Sequence, residues 1–154
     1  MTPLPTLPAP FSRRIAARRE DAAALGDAFA TWAGQAALPR RTIFHVELIL
    51  DELLTNIVMH GVPSAMPGPG APVMIDLCVA FTATGAALSI AVRDNARPFD
   101  MTGHASADTL APLAARPEGG LGLHFVRQLT QAAHYHHANG CNHLVLRKDI
   151  IPDA

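Results

Sequence analysis

A glutamate and an asparagine four residues apart, Glu52 and Asn56, interrupt the otherwise apolar run ILDELLTNIVMHG, and packing alone asks for neither. Read as a helix over residues 42–59 at about 100° per residue, the segment gathers Val46, Leu48, Ile49, Leu50, Leu53, Leu54, Ile57 and Met59 on one apolar arc. Glu47, Asp51 and Thr55 fill the polar face, while i,i+4 spacing stacks Glu52 and Asn56 inside the arc. A carboxylate in such a place is paired, ligated or used. Two readings stay open here. The Asn56 amide could simply hydrogen-bond the Glu52 carboxylate, or the two could form a site in which Glu52 acts on a proton and Asn56 offers an oxygen to a cation. His45 and His60 fall near the same stripe, where lone histidines are more often packing residues than ligands.

A second anomaly lies on a strand. Counting by twos along Leu88, Ile90 and Val92 lands on Asp94, so its carboxylate points to the face that those residues bury. At a strand's end it can accept a hydrogen bond from a ligand amino group, or it can open DNARPFD as an Asx-type turn. A third feature is the glycine set Gly119, Gly120 and Gly122 at a helix entry, where close backbone approach and unpaired N–H groups suit phosphate. No Gly-Lys-Ser/Thr follows, and the Rossmann spacing is missing, so neither of those loops is present.

These residues need a scaffold, and 154 residues suit one domain with a two-layer core. Twelve basic against thirteen acidic residues give a net charge of −1, which argues against a nucleic-acid footprint. Cys78 and Cys141 stand alone, without disulfide or zinc spacing, so a reduced, cytoplasmic setting is expected. MTPLPTLPAP lacks the pattern of a signal peptide and reads as a flexible tail over residues 1–10. No uninterrupted apolar stretch is long enough for a membrane span, so the protein is expected to be soluble.

FSRRIAARR suggests a first strand, with Phe11, Ile15 and Ala17 inward, and DAAALGDAFATWAGQAA a helix closed by Pro39. After the helix that carries Glu52 come the turn-rich VPSAMPGPGAP and two alternating strands around Thr84–Gly85. Residues 98–117 read as a long loop, GGLGLHFVRQLTQAA begins a third long helix, and HYHHAN and CNHLVLRK form a hairpin at Asn139–Gly140. The order strand, helix, helix, strand, strand, loop, helix, strand, strand predicts an α/β sandwich with helices on one face of a largely antiparallel sheet.

Glu-x-x-x-Asn on a helix, strand-Asp-x-x-x-Pro-Phe-Asp, then Gly-Gly-Leu-Gly-Leu opening a helix resembles, in that order, the GHKL (Bergerat-fold) ATP-binding proteins. DELLTNIVMHG, VRDNARPFD, GGLGLHFVRQL and NHLVLRK look most like the anti-sigma-factor serine/threonine kinases of bacterial partner switching. The resemblance covers residues 11–150 and implies a Bergerat α/β two-layer sandwich, with about three helices on one face of a mainly antiparallel mixed sheet. It further implies ATP and Mg²⁺ as cofactors, Glu52 as general base and Asn56 as the magnesium residue. Asp94, with Ala96 beside it, would read the adenine amino group, and Gly119, Gly120, Leu121, Gly122 and Leu123 would line the phosphates. Residues 100–118 would be the ATP lid, with Arg97, His104 and Arg116 as candidate cations. The implied partners are a sigma factor and a STAS-type anti-anti-sigma protein, with no direct nucleic acid or membrane contact, and the implied assembly is a homodimer. The alternative is an ATP-binding regulatory module that sequesters a protein partner without phosphoryl transfer. It draws on two departures from the family pattern: Ala96 replaces a usual glycine, and Val145 stands where a strand threonine often supports the adenine contact.

Overall fold

The computed structural model describes residues 3, 5–61, 72–102 and 120–154. Most of VPSAMPGPGAP, nearly all of the expected lid with His104 and Arg116, and Gly119 lie outside them.

The elements follow the expected order: β1 (Phe11–Ala16), α1 (Arg19–Gln35), α2 (Arg40–Asn56), a π-helical turn (Ile57–Gly61), β2 (Met74–Phe81), β3 (Ala87–Asp94), α3 (Gly120–Leu129), β4 (Ala132–Ala138) and β5 (Cys141–Asp149). The strands form one five-stranded sheet, β1-β2-β3-β5-β4. Among the described residues all four pairings are antiparallel, in place of the expected mixed sheet. α3 also stops at Leu129, short of the expected length: Thr130 bonds back to the Val126 carbonyl, Gln131 donates its backbone N–H to Arg147, and Ala132 and Ala133 belong to β4.

Strand alternation sends Ile75, Leu77, Val79, Leu88, Ile90, Val92, Leu144 and Leu146 into one face, where they meet Phe29, Val46, Ile49, Leu50 and Leu53 from the helices. Each fully buried aliphatic side chain contributes about 1.5–3 kcal/mol of transfer free energy, and this layer fixes α2 over the sheet. Leu48 and Met59, expected on the buried arc, are instead exposed, because the arc drawn from sequence is wider than the strip the sheet covers. At one end of the core Phe11, Phe29, Trp32 and Phe81 lie with ring centroids 5.8–6.1 Å apart, and the Trp32 indole N–H donates to the Ala9 carbonyl at 2.9 Å.

The ends of α2 determine where its chemistry points. No side chain of its own first turn caps it; the backbone N–H groups of Arg40 and Arg41 donate to the Asp153 carboxylate, both at 3.0 Å. Thr42 adds a reciprocal pair with Ile151, its hydroxyl donating to the carbonyl at 3.1 Å and accepting the N–H at 2.8 Å. At its other end the helix widens into the π turn, a form that recurs at functional sites because it re-aims the side chains it carries. The β4–β5 hairpin closes on Asn139 and Gly140, with φ of 52° and 73°, the left-handed pair of a type I′ turn.

Candidate functional site

Within α2, Glu52 and Asn56 are half-buried while their neighbours Asp51 and Thr55 are exposed, so the helical spacing read from sequence holds. The local Glu52–Asn56 hydrogen bond does not form. Asn56 instead donates its amide to the Met101 thioether at 3.5 Å. Among the described residues the Glu52 carboxylate has no hydrogen bond or ion pair. Burial, and behind it the charge of Asp51, pushes that carboxyl above the ordinary carboxylate range. It lies against Gly122 in the first turn of α3, where a Cβ would overlap the Glu52 Oε2 and Cδ atoms. Glycine at 122 therefore makes room for a carboxylate, a role additional to any approach of phosphate.

Asp94, the last residue of β3, is 5% exposed, and the two readings of it prove compatible. Its Oδ1 accepts the Ala96 N–H at 3.0 Å, closing an Asx-type turn, and the Asn142 side-chain amide at 2.9 Å. Its Oδ2 accepts nothing among the described residues and remains available to a donor. Burial raises the carboxyl above its ordinary range, opposed by the hydrogen bond from Asn142, then that from Ala96, then by His137 and His143.

Asn142 is the residue that sequence reading missed. Sheet register sets it directly across from Asp94, and it is 6% exposed. Its amide also donates to the Arg97 carbonyl at 3.0 Å, and its Oδ1 accepts the Tyr135 hydroxyl at 2.6 Å and the Phe99 N–H at 3.1 Å. One side chain thus ties β3, β4, β5 and the loop after β3 together, with both its donors and its acceptor occupied. The signal was available: counting back by twos from Leu146 and Leu144 reaches Asn142 on the inward face. The same parity corrects Val145. It pairs with Ala91, is 40% exposed and faces the open side of the sheet, so its missing hydroxyl is remote from Asp94.

Asp94 and Asn142 border a cavity of about 450 Å³ whose lining does not include Glu52 or Gly122. Asn56, Asp94, Asn142 and Leu123 line it, Ala96, Arg97 and His60 border it, and Phe99 and Met101 come from the loop beyond Asp94. His45 does not line it: it lies towards Lys148 and Arg41, and its Nδ1 is buried without a hydrogen-bond partner among the described residues. Gly120 and Leu121 belong to the first turn of α3. Ala96 is 6% exposed, and a Cβ built on Gly61 would come within 3.1 Å of its methyl, so glycine at 61 leaves the space that alanine at 96 occupies. A half-buried carboxylate, an amide one turn away and a buried carboxylate with a spare oxygen suit a ligand that carries both an amino donor and a charged end.

Among solved structures, the crystal structure of the RsbU and RsbW domains of Rv1364c from Mycobacterium tuberculosis is similar, with a TM-score of 0.61 at 14% identity over 93% of this chain. The match takes in 33% of that longer chain, and a likeness at this identity speaks for the fold. No curated protein sequence matches. No helix among the described residues is long and apolar enough to cross a membrane. The sequence pattern of the histidine kinase-like ATPase domain matches residues 15–148, from the end of β1 to the end of β5 and across every element that lines the cavity. On that match, the chain belongs to the histidine kinase-like ATPase domain family.

Proposed function

We propose that this protein is an ATP-dependent serine/threonine protein kinase and anti-sigma factor of a partner-switching system, and that it phosphorylates a STAS-type anti-anti-sigma protein. The observation that carries the reading is the Glu52 carboxylate, desolvated, unpaired among the described residues and one helical turn from the cavity-lining Asn56. Nucleotide binding alone has no use for such a group, whereas transfer to a hydroxyl needs an acceptor for its proton.

Family membership implies ATP, and the residues present fit it. The spare Asp94 Oδ2 suits an exocyclic amino donor, and Asn142 holds that carboxylate in one orientation. The first turn of α3 is the kind of place that suits phosphate, since the leading N–H groups of a helix have no partner within it. Asn56 keeps its side-chain oxygen for Mg²⁺, because its amide nitrogen is the atom engaged with Met101. Magnesium would supply charge neutralisation on the phosphates. Glu52 takes the proton of the attacking serine or threonine hydroxyl, and its raised affinity for protons favours that acceptance.

The rival, a regulator that binds nucleotide without transferring phosphate, draws on Ala96 and Val145. Both departures lose weight, since Gly61 accommodates the Ala96 methyl and Val145 lies on the opposite face of the sheet. The test is labelling of the STAS-domain proteins of the same genome with γ-labelled ATP and MgCl₂. Glu52→Gln should cut transfer by about 10²–10⁴-fold with ATP affinity kept. Normal ATP binding with every STAS protein unlabelled would remove the kinase assignment.

A further inference from the structure

Apart from the cavity beside Asp94, a groove of about 630 Å³ lies between α1 and α2. Small residues make its α1 wall: Ala22, Ala23 and Gly26, the last with nothing within 4 Å of where a Cβ would stand. Leu50 and Leu54, each 2% exposed, lie at its base, and Val58 and the exposed Met59 carry its apolar surface at the far end of α2. Its rim is acidic, with Asp27 on α1 and Glu47 and Asp51 on α2. None of these three carboxylates forms a salt bridge or side-chain hydrogen bond among the described residues. The one basic residue of the groove, Arg19, turns its guanidinium to the Met59 thioether at 2.9 Å. A widened, apolar, helix-lined groove edged by uncompensated negative charge is complementary to one kind of occupant.

We infer that this groove docks an amphipathic helix of a protein partner, with apolar side chains set against Val58, Met59 and the small residues of α1, and lysine or arginine facing Asp27, Glu47 and Asp51. The inference rests on the reading of the chain as a regulator of protein partners, and it names the surface and the chemistry of the partner. A consequence for the site follows from geometry, since Asp51 on the groove rim and Glu52 on the buried side are consecutive residues of α2. A partner cation beside Asp51 offsets the negative charge that, second to burial, raises the Glu52 carboxyl. Docking and proton acceptance then share one helix.

The experiment uses the whole chain and a fluorescent 18-residue amidated peptide of leucine and lysine at helical spacing, with a leucine–glutamate peptide as control, read by anisotropy. The basic peptide should bind and the acidic one should not. Gly26→Leu places a side chain into open space, improves helix propensity and plugs the groove, so it should weaken binding by about tenfold or more with an unchanged melting curve. Glu47→Lys and Asp51→Lys should each weaken it by about threefold to tenfold, whereas Asp149→Lys, which changes net charge equally but lies on β5, should not. Equal binding to wild type and Gly26→Leu, or an equal loss in Asp149→Lys, would overturn the groove. ATP affinity measured on the same samples separates the outcomes: loss of peptide binding with ATP binding intact bears on the groove, and absence of ATP binding in wild type bears on the kinase reading.

Discussion

Gly122→Ala separates the position of Glu52 from the stability of the fold. The added methyl would overlap the Glu52 carboxylate, and the flexible glutamate yields more easily than the backbone of α3. Restoring ordinary contact moves the carboxylate by about 1 Å or more. A misplacement of that size costs about 10²-fold in a step that depends on positioning, or about 2.7 kcal/mol in the barrier. Stability moves the other way or hardly at all: alanine gains about 1 kcal/mol of helix propensity over glycine, offset by the strain of the displaced side chain. The expected result is a melting temperature within about 4 °C of wild type with transfer down about a hundredfold and nucleotide affinity little changed. Glu52→Asp, which withdraws the carboxylate by one methylene, should cost activity alone yet restore part of the loss in the Gly122→Ala background, a non-additivity that only contact between the two residues produces. Transfer within threefold of wild type in Gly122→Ala would refute the idea that the placement of Glu52 limits the reaction.

Three further outcomes are expected. Asp94→Asn removes a charged acceptor and should weaken adenine nucleotide binding by about 10- to 150-fold by calorimetry, whereas unchanged affinity would take Asp94 out of the site. Asp51→Asn should move the acidic limb of the transfer profile to lower pH, because Glu52 as the proposed base would work deprotonated and loses a neighbour that raises its carboxyl; a limb that stays in place would dissociate Asp51 from Glu52. Lys148 is 1% exposed on β5, and burial, ahead of the repulsion from Arg41, lowers its ammonium below the usual lysine range against the pull of Asp149. The folded state therefore binds its proton less readily than the unfolded chain, so this group's share of stability is present above the unfolded value of 10.5 and is lost as pH falls towards the lowered one. Lys148→Met should stabilise by about 1 kcal/mol or more at neutral pH and flatten that dependence, and a lower melting temperature would show that the ammonium has a stabilising role.

Glu52, Asn56 and Asp94 were legible because each breaks a short-range pattern, a helical arc in one case and a strand alternation in the other. Asn142 obeys the same alternation and was passed over because its meaning depends on β5 lying beside β3, which is a fact of sheet order. Val145 proves an ordinary strand residue, and parity counted from Leu144 turns it outward. The contact between Gly122 and Glu52 joins α3 to α2, and no local pattern encodes it. Leu48 and Met59 show the limit of an amphipathic arc, whose width depends on how much of the helix a partner surface covers.

The order in which the chain leaves a ribosome gives the cap on α2 a temporal meaning. The carboxylate that receives the Arg40 and Arg41 N–H groups belongs to Asp153, more than a hundred residues downstream, and Asn142, which orients Asp94, belongs to the strand that enters the sheet between β3 and β4. A nascent chain can carry Glu52, Asn56 and Asp94 and still have neither the start of α2 fastened nor the buried carboxylate held. The arrangement around Asp94 and the start of α2 is thus completed only once the residues around Asn142 and Asp153 have joined the fold.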